Sequence, residues 1–467
     1  MAILEQTAKD NLEISEELIR RFDSLGPRYT SYPTADRFHT EFSEKAYSQY
    51  LEQRNHAVNK PPLSLYIHIP FCASLCYYCA CNKVITKDRS KSAIYLHYLA
   101  KELQLVKQHL SSRETISQLH LGGGTPTFLS EDEMRGLMTM LRDNFDFAED
   151  AEISIEIDPR TVTAETLQLL ADIGFNRTSL GVQDFDEQVQ IAVHRIQPYD
   201  MVEKCITQSR DVGFQSINFD LIYGLPKQSL ESFSRTLDQV IALSPARIAL
   251  YNYAHLPTRF KPQRRINEAD LPSAEQRLQI FLMSLRRLLA EGYVYIGLDH
   301  FAKPDDSLAL AVKDKSLHRN FQGYTTRADC DLIALGLSSI GKIGASYVQN
   351  LRTLDEYYAA LDQNKLPVEK GFHLNADDLL RREIIMDLMC STKLDIPAFE
   401  KTYDIQFSEY FANELSRLRT YVDEGLMSID KSAVSVTAKG RMFVRAFSMV
   451  FDQYLSRQSS AKYSKLI

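Results

Sequence analysis

Residues 65–83, LYIHIPFCASLCYYCACNK, place four of the chain's seven cysteines, Cys72, Cys76, Cys79 and Cys81, in one short loop behind an apolar run that reads as a β-strand. Chemistry limits such a loop before folding does. Four unligated thiols this close together would be an oxidation hazard. Structural zinc usually draws on two separated ligand pairs, and no second Cys or His pair of that spacing follows. Three soft thiolates spaced C-x3-C-x2-C suit a cubane iron–sulfur cluster, wrapping one face and leaving the fourth iron without a protein ligand. An odd number of cysteines, clustered rather than scattered, argues for metal binding in a reducing compartment over a disulfide framework.

The chain has 467 residues, more than one hydrophobic core usually supports, so a large catalytic domain with smaller appendages is expected. With 44% hydrophobic and 25% charged residues the composition is that of a soluble globular protein. No apolar run reaches membrane-spanning length, and the start MAILEQTAKDNLEIS lacks the basic and apolar regions of a secretory signal, so a cytoplasmic protein is expected. A net charge of −7 speaks against nucleic-acid binding and leaves any acidic ligand to local basic patches. One such patch is PTRFKPQRR, with Arg259, Lys261, Arg264 and Arg265. A solvated loop is its plain alternative.

From residue 65 short apolar runs alternate with longer amphipathic ones. Strands are expected at LYIHIP (65), ISQLHLGG (116), AEISIEID (151), RTSLGVQ (177), SINFDLIYGL (216) and RIALYNY (247), separated by helices near 92–109, 130–144, 165–173, 200–212 and 230–243. That order implies an α/β fold with a parallel sheet built by right-handed crossovers, and six units fit the count better than eight. Ligands of such sheets gather at the carboxyl ends of the strands. There the chain carries Gly122-Gly123-Gly124-Thr125-Pro126, a glycine run open to close backbone approach, and Glu156. Glu156 lies between Ile155 and Ile157, so it points inward, where it needs a salt bridge or a hydroxyl-bearing ligand. Gln183, Arg195 and Asp220 form a further polar set.

The expected division is an N-terminal extension over 1–55, a catalytic barrel over 56–350 and a helical domain over 351–467. The extension has little periodicity beyond a helix-like stretch at 13–23; its PRYTSYPTADRF segment offers Arg28, Tyr29 and Tyr32 as charge and ring faces for an anionic ligand. Such a segment is expected to close over a substrate and to be dispensable for the fold. The C-terminal part reads as helices at 379–390, 396–403 and 409–424, a short β pair in MSIDKSAVSVTAKG and a last helix near 441–455, a winged-helix-like set without a basic stripe.

The spacing Cys72, Cys76, Tyr78, Cys79, that is C-x3-C-x-aromatic-C, resembles the radical S-adenosylmethionine enzymes. Together with Cys81, PRYTSYPTA at 27–35 and GVQDF at 181–185, it makes nearly the whole chain similar to the family of oxygen-independent coproporphyrinogen III dehydrogenases. The resemblance implies a partial (β/α)6 radical-SAM barrel with an N-terminal extension and a mostly helical C-terminal domain. It implies one [4Fe-4S] cluster on Cys72, Cys76 and Cys79, two molecules of S-adenosyl-L-methionine, and a 5′-deoxyadenosyl radical. The radical would oxidatively decarboxylate two propionate side chains of coproporphyrinogen III to vinyl groups. By the same resemblance Gly123, Gly124 and Thr125 meet the methionine amino group and Glu156 meets ribose hydroxyls. Gln183, Arg195 and Asp220 hold the second S-adenosylmethionine, Arg195 through its carboxylate and Asp220 through its ribose. Tyr66, Tyr78, Ala254 and Ile340 line these sites, and Cys81, Phe321 and Gln322 lie near the reaction. An electron donor and an electron acceptor of unknown identity are implied, with no nucleic-acid or membrane partner and a monomeric chain. The rival within the superfamily is a haem carrier without dehydrogenase activity. Such carriers typically lack a cysteine at the position of Cys81 and carry an HNxxYW-like motif, whereas this chain has Cys81 and no tryptophan.

Overall fold

The computed structural model of the protein describes residues 16–22, 24–58, 60–327 and 330–455. The first residues of the expected 13–23 helix lie outside these; the described part is the helix Glu16–Phe22. The chain forms two compact units. One comprises Phe38–Ser284 and Asp329–His373, the other the described residues of Met1–Arg37, Leu285–Ala328 and Leu374–Ile467. This partition cuts the chain elsewhere than the expected three consecutive domains, and one unit is assembled from three separate segments. Among the described residues no helix is long and apolar enough to cross a membrane.

The larger unit is built on six parallel strands lying side by side in chain order: β1 (Leu63–Ile69), β2 (Thr115–Gly123), β3 (Asp146–Ile157), β4 (Arg177–Gln183), β5 (Ser216–Tyr223) and β6 (Arg247–Asn252). Between them run α1 (Ser90–Gln108), α2 (Glu131–Asn144), α3 (Ala164–Asp172), α4 (Tyr199–Asp211) and α5 (Leu230–Leu243). All six strands and five helices fall where the alternation of apolar runs places them. Residue chemistry sets their limits: Ser130 and Ser229 open α2 and α5 through capping boxes, satisfying first-turn N–H groups. Helix α5 then buries Phe233, Leu237 and Val240, an i, i+4, i+7 stripe. Along the strands, Leu65, Ile67, Ile155, Ile157, Phe219 and Leu221 are buried, while Tyr66, Glu156 and Asp220, one position out of phase, turn the other way.

The strand Asp331–Leu335 adds to the free side of β1 in parallel, and Ile340–Ile343, Ser346–Asn350 and Val368–His373 continue the sheet antiparallel. The helix Glu44–Asn55, capped by Ser43, corrects the reading of residues up to 55 as largely aperiodic. Its stripe is masked because one core-facing residue is charged: Arg54 is 5% exposed and bridges Asp331 and Glu114 at the amino ends of the strands.

The smaller unit contains two hairpins, Val294–Gly297 with His300–Ala302 and His318–Asn320 with Gly323–Thr325. It also holds a three-stranded sheet in which Ala433–Val436 is flanked by Lys393–Asp395 and Met427–Ile429, beside the helices Ala376–Cys390, Ile396–Tyr403 and Val444–Phe451. The helix expected over 409–424 is broken into Phe407–Tyr410 and Ala412–Asp423, because Phe411 is driven inward against Phe407 and Phe451.

The N-terminal segment contributes to this unit's core, against the expectation that it is dispensable for the fold. Tyr29 is 1% exposed and Tyr32 0%. The Tyr29 hydroxyl donates to Asp452 at 2.9 Å, and the Tyr32 hydroxyl accepts from the Gln453 N–H at 3.2 Å. Arg28 pairs with Asp299, and the buried Arg445 donates to the carbonyls of Gly26 and, at 3.0 Å, Pro27. Tyr29 and Tyr32 are therefore built into this unit's core, and Arg28 is fastened beside them. A segment without strand periodicity can still be core when its partners lie more than 400 residues away.

Candidate active site

The cysteine loop leaves the carboxyl end of β1. Its two ends are tied together: Phe71–Cys72 pairs in parallel with Val84–Ile85, the Val84 N–H donates to the Pro70 carbonyl at 2.7 Å and the Thr86 N–H to that of Cys72 at 3.0 Å. Inside the loop the Cys79 N–H closes a turn on the Cys76 carbonyl, and the Lys83 ammonium donates to the carbonyls of Cys79 (3.1 Å) and Cys81 (3.2 Å). Cys72 and Cys76 are buried, Cys79 half-buried and Cys81 exposed, all as free thiols.

Each of the three spaced sulfurs has a donor beside it. Thr125 Oγ1 donates to Cys72 Sγ at 3.4 Å, while Arg195 Nη1 and Arg160 Nη2 converge on Cys76 Sγ at 3.5 and 3.6 Å. Burial pushes the Cys72 thiol up to about 11, so only a metal would displace its proton at neutral pH. Cys79 is drawn down to about 6, chiefly by the hydrogen bond from Cys81, against desolvation and with help from the Lys83 charge. Among the described residues no three His, Cys, Asp or Glu side chains converge as ligands of a single ion. A cubane asks instead for thiolates at three separate irons, with donors to their sulfurs, and this loop supplies both.

Inward-facing residues of neighbouring strands line up in rows. Tyr66, His120 and Ser154 are register partners across β1, β2 and β3, and Glu156, Ser179 and Asn218 across β3, β4 and β5. Tyr66 stacks on His120 and shares a hydrogen bond with His68 at 3.0 Å. Glu156 accepts from the Gly123 N–H at 3.0 Å and lies 3.5 Å from His120. Desolvation raises its pKa, but His120 and the Gly123 N–H outweigh that and hold it below the usual carboxylate value. Its side chain remains 44% exposed, so it borders open space inside the barrel with acceptor capacity to spare. Asp220, Gly181's register partner, accepts from Ser179 (2.7 Å) and Asn218 (2.9 Å); burial and the Glu156 charge push it up to about 6.

The glycine run is explained by the protein itself. A Cβ on Gly122 would come 2.9 Å from Glu156 Oε1, one on Gly123 (φ +116°) 2.5 Å from the His68 ring, and one on Gly124 2.7 Å from the Pro70 backbone. The Gly124 and Thr125 N–H groups then clamp Ile69 and Phe71 at 2.8 Å each. The run therefore seats the cysteine loop and the carboxylate together. Arg195 is likewise engaged, giving Nη1 to Asp158 (3.0 Å) and Nη2 to the Gly181 carbonyl (2.7 Å). Its Nε and the Oε1 of Gln183 are left buried without partners. Tyr78 packs with Tyr77 on an apolar cluster of Val189, Val193, Leu225, Tyr253 and Ile266. Ala254 is reached through Gln263, whose amide donates to the carbonyls of Tyr78 (3.0 Å) and Ala254 (3.2 Å) and accepts from the Leu256 N–H (2.6 Å). Ile340, half-buried, opens its antiparallel strand. Phe321 and Gln322 belong to the other unit, where they form a hairpin turn; Gln322 Nε2 is buried without a partner.

Sequence reasoning missed Asp158, Arg160, His68, His120 and Gln263. Asp158-Pro159-Arg160 directly follows β3, so the same strand-end rule could have found it. Gln263 carries no such signal, because it sits among four cations that draw the eye.

The comparisons with known proteins agree with this geometry. Residues 66–240 match the Radical SAM superfamily and residues 374–443 the HemN C-terminal domain. The oxygen-independent coproporphyrinogen III oxidase of Pseudomonas aeruginosa is 48% identical over 98% of this chain and 100% of its own length. Those of Escherichia coli and Helicobacter pylori are 46% and 44% identical over 96% and 97% of the chain, covering 98% and 99% of their own lengths. The solved structure described as coproporphyrinogen III oxidase (HemN) from Escherichia coli, a Radical SAM enzyme, has a TM-score of 0.88 at 45% identity and covers 91% of this chain and 97% of its own. With the cysteine loop on β1 and full-length likeness on both counts, the chain belongs to the oxygen-independent coproporphyrinogen III oxidase family of radical S-adenosylmethionine enzymes.

Proposed function

We propose that this chain oxidises coproporphyrinogen III without oxygen, converting two propionate side chains to vinyl groups, with Cys72, Cys76 and Cys79 as ligands of a [4Fe-4S] cluster. The observation that carries the reading is the closed cysteine loop at the end of β1, with donors aimed at its sulfurs, facing an inner row that ends in Glu156. Bound there, the cluster would supply the single electron that cleaves S-adenosylmethionine reductively, which is how an unactivated C–H bond becomes reachable. The chain's own part is to hold and orient. Glu156, with open acceptor capacity, suits two vicinal ribose hydroxyls, and the Tyr66–His120 stack forms the floor beside it. Cys81, exposed beside Cys79, is placed to meet substrate rather than to ligate iron.

A second S-adenosylmethionine is supported by the second carboxylate, Asp220, on a different strand, and by the unpartnered Gln183 Oε1 and Arg195 Nε near Gly181. For Arg195 to receive a carboxylate bidentately, Asp158 must yield part of its hold and keep Arg160 as its partner. Gln322 and Phe321 are proposed as substrate-side residues on the strength of the unpartnered Gln322 amide. The full-length match to the oxidases, together with Cys81 and the absence of tryptophan, favours the oxidase reading over a haem carrier. The seven free cysteines fit a reducing compartment.

An anaerobic assay with reduced protein, S-adenosylmethionine and coproporphyrinogen III, read by porphyrin chromatography, should give protoporphyrinogen IX. Iron-replete protein that cleaves S-adenosylmethionine yet yields no vinyl product would overturn the substrate. Equilibrium dialysis should count two S-adenosylmethionine equivalents in the wild type and about one in Asp220→Ala; a wild-type count of one would overturn the second site.

A further inference from the structure

Arg259, Lys261, Arg264 and Arg265 are all exposed, in a chain whose net charge is −7. Among the described residues none of the four is paired with a carboxylate. The acids that follow are engaged elsewhere, Glu268 with His255 (3.3 Å) and Asp270 with Lys227 (2.5 Å). The stretch lies against the cysteine loop. The Arg265 guanidinium sits 5.3 Å from the ring centre of Tyr77, the residue after Cys76, and Gln263 between the cations holds the carbonyl of Tyr78. On the same ring His194 stacks at 5.0 Å and 9°, its Nδ1 bonded to the Leu75 carbonyl at 2.8 Å. Two residues from His194 in sequence, and three on its other side, the large apolar side chains Ile196 and Ile191 are 50% and 54% exposed.

Exposed apolar residues on the segment that carries His194, joined through the Tyr77 ring to cations without carboxylate partners among the described residues, have the composition of a docking face for an acidic protein. We infer that the face made by Ile191, His194, Ile196, Tyr77 and the 259–265 cations receives a small acidic one-electron carrier protein, which reduces the cluster through the Tyr77–Cys76 side of the loop. The inference rests on the proposed function, which requires an electron from outside. In the step the carrier loses one electron and the cluster gains it, and no bond is made or broken. The placement beside a cluster ligand favours a carrier over the anionic substrate as the partner of these cations.

The test uses the full chain with its cluster reconstituted and no porphyrinogen present, with reduced flavodoxin, a small acidic flavin protein, as probe and stopped-flow bleaching of the cluster as readout. In Arg259→Glu/Lys261→Glu the reduction rate should fall about tenfold at low ionic strength and the difference should shrink as salt is added. Iron content and reduction by dithionite should match the wild type. If the double variant takes up less iron, Arg264→Gln, which gives up one hydrogen bond to the Pro257 carbonyl, should still slow flavodoxin and not dithionite. Equal flavodoxin rates in variant and wild type would overturn the docking face. So would unchanged rates combined with a raised KM for coproporphyrinogen III, which would give the cations to the substrate. Failure of the underlying reading is separate: the wild type itself would then take up no cluster.

Discussion

At the scale of single residues, the sulfur environment is set by side chains that are not themselves ligands. Arg160 is tied to Asp158 through Nε and Nη2 and still reaches Cys76 Sγ. A cationic donor on a ligand sulfur stabilises the more negative, reduced cluster. Arg160→Gln should therefore lower the midpoint potential of the reconstituted cluster with its iron content unchanged, and Arg160→Lys should recover part of the shift. A potentiometric titration followed by electron paramagnetic resonance measures it, and an unchanged potential refutes the role. Cys81→Ala should keep its iron and lose vinyl product, whereas Cys72→Ala, Cys76→Ala and Cys79→Ala should each lose the cluster; anaerobic iron analysis separates the two outcomes. The gathering of the cysteines in one loop and the inward phase of Glu156 were legible in the sequence because spacing and strand phase are local properties. The engagement of Arg195 with Asp158 was not, since that pair meets only once the end of β3 and the connection between β4 and α4 are folded side by side. Nor was it legible that all three glycines answer to neighbours within the protein.

Elements were easiest to read where a period of two or of 3.6 ran unbroken, as over residues 151–157 of β3 and in α5, and hardest where a buried polar group interrupted it, as Arg54 does in the helix Glu44–Asn55. The loop after β6 acts on the cysteine loop through one amide. Gln263→Ala would leave the Leu256 N–H and the Tyr78 and Ala254 carbonyls to find other partners, at about 1–3 kcal/mol. The expected result is faster iron loss to a chelator than in the wild type, with Gln263→Glu restoring only the contact to Leu256. On α1, Glu102 is 2% exposed and accepts from Tyr357 (2.6 Å), Gly336 (2.7 Å) and Asn350 (2.6 Å), yet burial outweighs these donors and lifts it to about 7. A carboxyl raised above its unfolded value near 4.5 contributes stability that is full below about that pH and is lost as pH climbs through 7. The slope is at most about 1.4 kcal/mol per pH unit. Denaturation midpoints should fall between pH 5.5 and 8 in the wild type and fall less in Glu102→Gln; parallel declines would show that other groups carry the dependence.

For the whole molecule, long-range partners decide what local pattern leaves open. The sequence makes the residues before Asp36 look dispensable for the fold because nothing near them in the chain explains Tyr29 or Tyr32. Burial of the two rings against Asp452 and Gln453 makes the segment part of a core. Removing everything before Asp36 deletes both rings and strips Arg445 of two carbonyl partners, a loss of several kcal/mol at the cost typical of one large aromatic truncation alone. The truncated protein is expected to be cut readily by protease within residues 374–455, where the full chain resists; equal resistance would return the segment to the status of a tail.

The Tyr29–Asp452 pairing also sets a clock. Its partners are 423 positions apart, so at roughly 5–20 residues per second a ribosome needs about 20–80 s to deliver the second after the first. Until residue 452 is made, Tyr29 and Tyr32 therefore lack these partners, and they still lack them when residue 373 has completed the other unit. A chaperone that holds nascent apolar segments would have this stretch to hold until the residues near 452 emerge.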